Sequence, residues 1–175
     1  MSNFQIQETQ NSNRSNISET SENAVSVSDH GMISSSGGQL TFDDTNSGLA
    51  DLLVNHTDPS PPLLNMTYTT PNNVPTLTLN NGGTYLIKQS CRGGLLTVDS
   101  KTVNAVVYIN GQPLPQLITA STHYQFEITN MHNQYIANLP AGTTLSLKFL
   151  VSRQPGDPAT NYSVSHANLI VTKLA

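Results

Sequence analysis

Residues 139–151 read Leu139-Pro140-Ala141-Gly142-Thr143-Thr144-Leu145-Ser146-Leu147-Lys148-Phe149-Leu150-Val151. Pro-Ala-Gly supplies a turn in which Gly142 can take the positive φ that a side chain resists. Beyond it, Leu145, Leu147, Phe149 and Val151 alternate with Thr144, Ser146, Lys148 and Leu150, the period of two that gives a β-strand one apolar face. The same grammar recurs on either side. Short β-like runs at 63–69, 75–79, 84–90, 95–98, 103–110, 114–118, 123–129, 134–138, 143–151, 160–165 and 167–174 are separated by Asn81-Gly82-Gly83, Arg92-Gly93-Gly94, Asn110-Gly111 and Pro155-Gly156-Asp157-Pro158. Asn-Gly and Gly-Gly provide the left-handed positions of tight hairpins. Within 123–129, Tyr124, Phe126 and Ile128 are expected on one face and His123, Gln125, Glu127 and Thr129 on the other. Such spacing predicts an all-β sandwich over residues 63–175.

Composition agrees. The chain has 175 residues, enough for one domain, and is 10% charged and 36% hydrophobic. Asn, Thr, Ser, Gln, Gly and Pro fill the difference, which disfavours long helices.

Residues 1–58 differ in kind from the sandwich segment. They are mostly polar, and residues 1–60 hold one basic residue, Arg14, against eight acidic ones, a net of −7, while the remainder carries +3. Such a segment buries too little apolar surface to offset its ordering entropy alone. It reads as an extended docking arm whose spaced anchors are Phe4, Ile6, Val25, Val27, Leu40, Phe42 and Leu52; the other reading is an arm folded back over its own body. Ser47 is expected to cap a short helical turn through Val54. Pro59, Pro61 and Pro62 mark a hinge at 59–62.

Several function classes are disfavoured. An acidic arm repels phosphate and the body has no basic run, so no nucleic-acid partner is expected. Met1-Ser2-Asn3-Phe4-Gln5-Ile6-Gln7 has neither the basic start nor the apolar run of a secretory signal, and no window approaches the ~18 apolar residues of a membrane span. Synthesis in the cytoplasm and no membrane partner are the expectations. The sole cysteine, Cys91, permits no intrachain disulfide. Its neighbour Arg92 could lower a thiol pKa, but no base accompanies it, and a small buried hydrophobe is the simpler reading. His30, His56, His123, His132 and His166 lack metal-ligand spacing. Asp43, Asp44 and Asp51 lack the oxygen spacing of a calcium loop. No catalytic residue, metal or cofactor is expected. The five N-x-S/T sequons, at Asn13, Asn16, Asn55, Asn65 and Asn161, are explained by composition.

The order of motifs carries a resemblance. Gly83-Thr84-Tyr85-Leu86-Ile87 resembles the G-x-Y-x-I strand of the complement globular-head and tumour-necrosis-factor superfamily. Val107-Tyr108-Ile109-Asn110-Gly111 resembles its strand ending in Asn-Gly, residues 139–147 resemble its L-x-a-G-d-x-v-x-L element, and residues 167–174 look like its closing strand. The likeness covers residues 63–175 and, with low aromatic content and Thr/Asn-rich strands, looks more like the bacterial and viral members, among them phage head fibres and spore-surface proteins. It implies a jelly roll of about ten antiparallel strands, three copies about a threefold axis, and no catalysis. The absence of a Gly-x-y repeat departs from the collagen-stalked members.

Strands apolar on both faces, at 105–109 and 147–151, are expected to have one face covered by a neighbouring subunit. Val106, Tyr108, Phe149 and Val151 are the trimer-interface candidates. The expected function is a non-enzymatic, homotrimeric virion surface component, a capsid decoration, cap or head-fibre protein, docked on other capsid proteins by its arm. Alternatives are a spore-surface or exosporium protein of the same fold, and a carbohydrate-binding module. Absence of Trp weighs against glycans, with Tyr68, Tyr124, Tyr135 and Tyr162 left as platforms.

Overall fold

The computed structural model describes residues 29–35, 38–43, 49–51, 63–97, 100–154 and 156–174. Among them the order is β1 (His30–Ser35), β2 (Gly38–Phe42), β3 (Leu49–Asp51), β4 (Met66–Thr69), a 3-10 turn (Pro71–Asn73), β5 (Thr76–Leu79), β6 (Gly83–Leu95), β7 (Ser100–Ile109), β8 (Gln112–Tyr124), β9 (Thr129–Leu139), β10 (Thr144–Val151) and β11 (Thr160–Lys173). One sheet runs β1-β11-β6-β9, with β2 also pairing β11. The other runs β4-β5-β10-β7-β8, with β3 also pairing β10. Every strand pairing is antiparallel. This is the expected all-β jelly-roll sandwich.

Alternation builds the core as the sequence implies. Leu145, Leu147, Phe149 and Val151 of β10 point inward beside Val103, Ala105 and Val107 of β7. From the opposite sheet come Tyr85, Ile87, Cys91 and Leu95 of β6 and Leu169 and Val171 of β11. The β7–β8 turn has Asn110 at φ 50° and Gly111 at φ 77°, the geometry of a two-residue Asn-Gly hairpin. Gly142, at φ 81°, is where the Pro-Ala-Gly turn requires it.

Three boundaries differ from the sequence reading. Arg92-Gly93-Gly94 is no turn: β6 runs straight through it, pairing with β11 and β9. Glycine is needed there because another stretch of chain comes close. A Cβ on Gly93 would meet the Ser163 carbonyl and, at 2.6 Å, the Tyr162 ring, and one on Gly94 would meet the Glu127 carbonyl. Runs 160–165 and 167–174 are one strand with a register shift between Val164 and His166. The bulge reverses parity, so that Tyr162 and Val164 point inward before it and Ala167, Leu169 and Val171 after it. Finally, β8 ends at Tyr124. Tyr124, Phe126 and Ile128 are exposed around the turn into β9 rather than aligned on a strand face.

The expected arm is corrected where it is described. Residues 30–35 and 38–42 supply β1 and β2, which pair with both halves of β11. Leu40 and Phe42 lie in the core beside Ile33, so they are not docking anchors. Residues 49–51, expected in a helical turn, form β3 against β10. β-Pairing satisfies the backbone of these short segments without local propensity, which a reading by composition misses. Phe4, Ile6, Val25, Val27 and Leu52, and the hinge at 59–62, lie outside the described residues.

Candidate functional site: the outer face of the five-stranded sheet

The outward positions of β1, β11, β6 and β9 form rows across the sheet. His30, Thr172, Leu86 and Ile136 make the first; Met32, Ile170, Lys88 and Gln134 the second; Ser34, Asn168, Ser90 and His132 the third; His166, Arg92 and Asn130 the fourth. Three depressions succeed one another along β6. The first, about 580 Å³, is lined by Lys88, Ser90, His132, Gln134 and Ile170. The next, about 290 Å³, is lined by Ser90, Arg92, Asn130, His132 and His166. The last, about 160 Å³, lies among Gly94, Leu96, Phe126, Ile128, Ser163 and Ser165.

The trough thus has apolar ends and a basic middle. Ile136 and Ile128 are each 55% exposed and Phe126 is 74% exposed. Phe126 also sits at φ 62°, a conformation a bulky side chain rarely adopts. Its N–H donates to the Leu95 carbonyl at 2.9 Å, holding the turn against the sheet. In the middle, Asn168 Nδ2 lies 2.9 Å from His166 Nε2. Among the described residues neither Lys88 nor Arg92 has an ion-pair partner.

Sequence reasoning misses this face because it assigns Arg92 to a turn. The alternation of Lys88, Ser90 and Arg92 with Ile87, Gln89 and Cys91 is the available signal, as is His132 two residues before Gln134.

The sequence-derived interface candidates fare differently. Phe149 and Val151 are core residues joining the sheets, so they cannot face a neighbour. Val106 points outward between Lys148 and Ile118 but is only 2% exposed. Tyr108 is half-buried, with Lys148 Nζ 5.2 Å from its ring centroid. The alkyl and charged parts of Lys148 therefore serve the covering role assigned to another subunit.

His123 and His132 are not brought together, since His123 points into the core and His132 into the trough. Neither ring nitrogen of His123 has a hydrogen-bond partner. Burial holds its pKa below the usual histidine value; the Gly93 backbone, outside hydrogen-bond geometry, and the Glu127 charge oppose this only in part. Burial pushes the Cys91 thiol up to about 12, which makes it a protonated core side chain rather than a nucleophile. Tyr162 is buried and forms no glycan platform, while Tyr124 stays exposed. Among the described residues no three His, Cys, Asp or Glu side chains are grouped to hold a metal.

No family model and no curated protein matches the chain. Among solved structures, the Eiger TNF of S. frugiperda superposes with a TM-score of 0.56 at 15% identity, over 85% of this chain and 93% of that one. Murine APRIL, at pH 8.0, superposes with 0.53 at 12% identity, over 83% and 99%. Likeness at these identities defines the fold. The chain has a TNF-like jelly-roll fold.

Proposed function

We propose that the chain is a non-enzymatic structural protein that assembles as a homotrimer through the outer face of the five-stranded sheet. The observation that carries this is the trough along β6, with Leu86, Ile136 and Ile170 at one end and Phe126 and Ile128 at the other. Exposed apolar patches at the two ends of this face, on either side of its basic middle, mark it as a candidate association surface. The resemblance to trimeric jelly rolls supports the same stoichiometry.

The finer reading is a virion surface component, a capsid decoration, cap or head-fibre protein. Residues 1–28, polar and holding Glu8, Glu19 and Glu22 against Arg14, are its docking segment toward other capsid proteins. A spore-surface role is the alternative for the same fold. A glycan-binding role draws on exposed Phe126 and Tyr124, whose rings could stack on a sugar.

Sedimentation equilibrium of the full chain tests the assembly, with three chain masses expected and Ile136→Glu expected to give a monomer. A folded monomer at micromolar concentration refutes it. Electron microscopy of the native particle then separates the virion from the spore.

A further inference from the structure

The middle of the proposed association face is electrostatically one-sided. Outward positions of β6 contribute Lys88 and Arg92, β9 contributes His132, β11 contributes His166 and β1 contributes His30. β2 adds only Gln39 and Thr41 beside β11. Among the described residues no Asp or Glu occupies an outward position of these five strands. Glu127 stands in the turn beyond Gly94, and Asp29 pairs with Lys173 at the sandwich end, 3.9 Å apart. His30 has its own partner, Thr172 Oγ1 at 3.1 Å from Nδ1. His166 Nε2 is engaged by Asn168 Nδ2, so among the described residues the donors without a partner around one depression are Arg92, His132 and the Asn130 amide, with the second ring nitrogen of His166 beside them.

Association through this face multiplies the imbalance, because each copy brings the same cations and no carboxylate. Like charges gathered where water is excluded oppose assembly unless a counter-charge enters with them. A guanidinium fork, imidazole N–H groups and an amide in one concavity are the donor set of an oxyanion site.

Resting on the proposed self-association, we propose that Arg92, His132 and His166 of neighbouring copies form a site for a tetrahedral oxyanion, phosphate or sulfate, that assembly completes. The anion holds the copies together.

Sedimentation velocity of the full chain tests this in chloride and in phosphate of matched ionic strength. Phosphate is expected to tighten association about tenfold or more over chloride, as a ligand held only by the assembled form does. Arg92→Gln, and separately the double variant His132→Gln, His166→Gln, are expected to lose the phosphate effect. A sulfated oligosaccharide in a second arm separates a chain-borne sulfate from a free ion: preference over inorganic sulfate at equal charge assigns the former, equal effect the latter. Trimers unmoved by phosphate overturn the site and leave the assembly standing. A phosphate effect that persists in the double variant overturns the histidine role. Monomers under every condition overturn both proposals.

Discussion

The imidazole of His123, on β8, meets the phenol ring of Tyr162, on β11, edge to face, with centroids 5.1 Å apart and planes at 88°. The pair ties the two sheets together in their interior. Both rings are fully buried, and neither His123 nitrogen nor the Tyr162 hydroxyl has a hydrogen-bond partner. Burial also pushes the Tyr162 hydroxyl far up, so it stays neutral. The contact is good only while the imidazole is uncharged.

That sets an acid limit on stability. Because the folded-state pKa of His123 lies below the ordinary histidine value of 6.5, the unfolded chain takes the proton first. Stability is full above about pH 6.5 and falls as pH drops below it toward the folded value. Urea midpoints measured against pH should show this decline in the native chain and a flatter profile in His123→Phe. Parallel profiles would mean that His123 is not the group responsible.

A second titration lies lower. Asp29 is 5% exposed and accepts from Asn65 Nδ2 at 2.9 Å, Asn81 Nδ2 at 3.1 Å and the Tyr85 hydroxyl at 3.2 Å. Burial alone would raise its pKa, but these three bonds and Lys173 together hold it below the ordinary aspartate value of 3.8. Its contribution is present above that value and lost as pH falls through the depressed one. Asp29→Ala strands the Asn65 and Asn81 amides, while the Tyr85 hydroxyl keeps the Asn81 carbonyl at 2.7 Å, and is expected to cost about 1–3 kcal/mol by thermal denaturation. A loss within a few tenths would show that water replaces the carboxylate.

Two glycines should respond to added bulk to different degrees. Gly142 is open to solvent, with nothing within 4 Å of an added Cβ, so Gly142→Ala is expected to lose only about 1 kcal/mol to its positive φ. Gly93→Ala pushes on the Ser163 backbone and the buried Tyr162 ring, and about 3 kcal/mol or more is expected. Equal melting temperatures for the two variants would contradict the strand assignment of Gly93.

Phe126 carries its strain at an exposed turn, so Phe126→Gly is expected to raise stability by about 1 kcal/mol while removing apolar contact area. Calorimetry reads the first effect and sedimentation the second. A stabilised variant that assembles normally would remove Phe126 from the association surface.

Truncations locate the start of the folded unit. Removing residues 1–28 should leave the melting temperature unchanged. Removing residues 1–42 takes away β1 and β2, with Ile33, Leu40 and Phe42, each contributing about 1.5–3 kcal/mol of burial. That shorter chain is expected to be unfolded by circular dichroism. A cooperative transition in it would mean that residues 63–175 stand alone.

Where one local rule acts, the sequence is legible. Residues 139–151 are a turn and an alternating strand, and Asn110-Gly111 is a hairpin. Legibility fails where a distant partner decides. Nothing local distinguishes Gly93-Gly94 as a close approach of strands from a turn, and polar stretches such as 30–35 and 38–42 become strands only because β11 offers them hydrogen bonds. The trough is hidden for a related reason. Lys88, Arg92, His132 and His166 are far apart along the chain, and only the β6 pairings set them side by side.

Those pairings also impose a timetable. β11 is the strand against which β1, β2 and β6 all hydrogen-bond, so β1 waits for a strand that follows it by about 130 residues, the described order taking all the others first. On the ribosome β1 must remain unpaired until residues 160–173 have emerged, because no earlier strand offers it the same edge. The sandwich therefore cannot close before residues 160–173 are available. Its folding is governed by long-range contacts that form slowly, and a newly made chain exposes unpaired edges in the meantime.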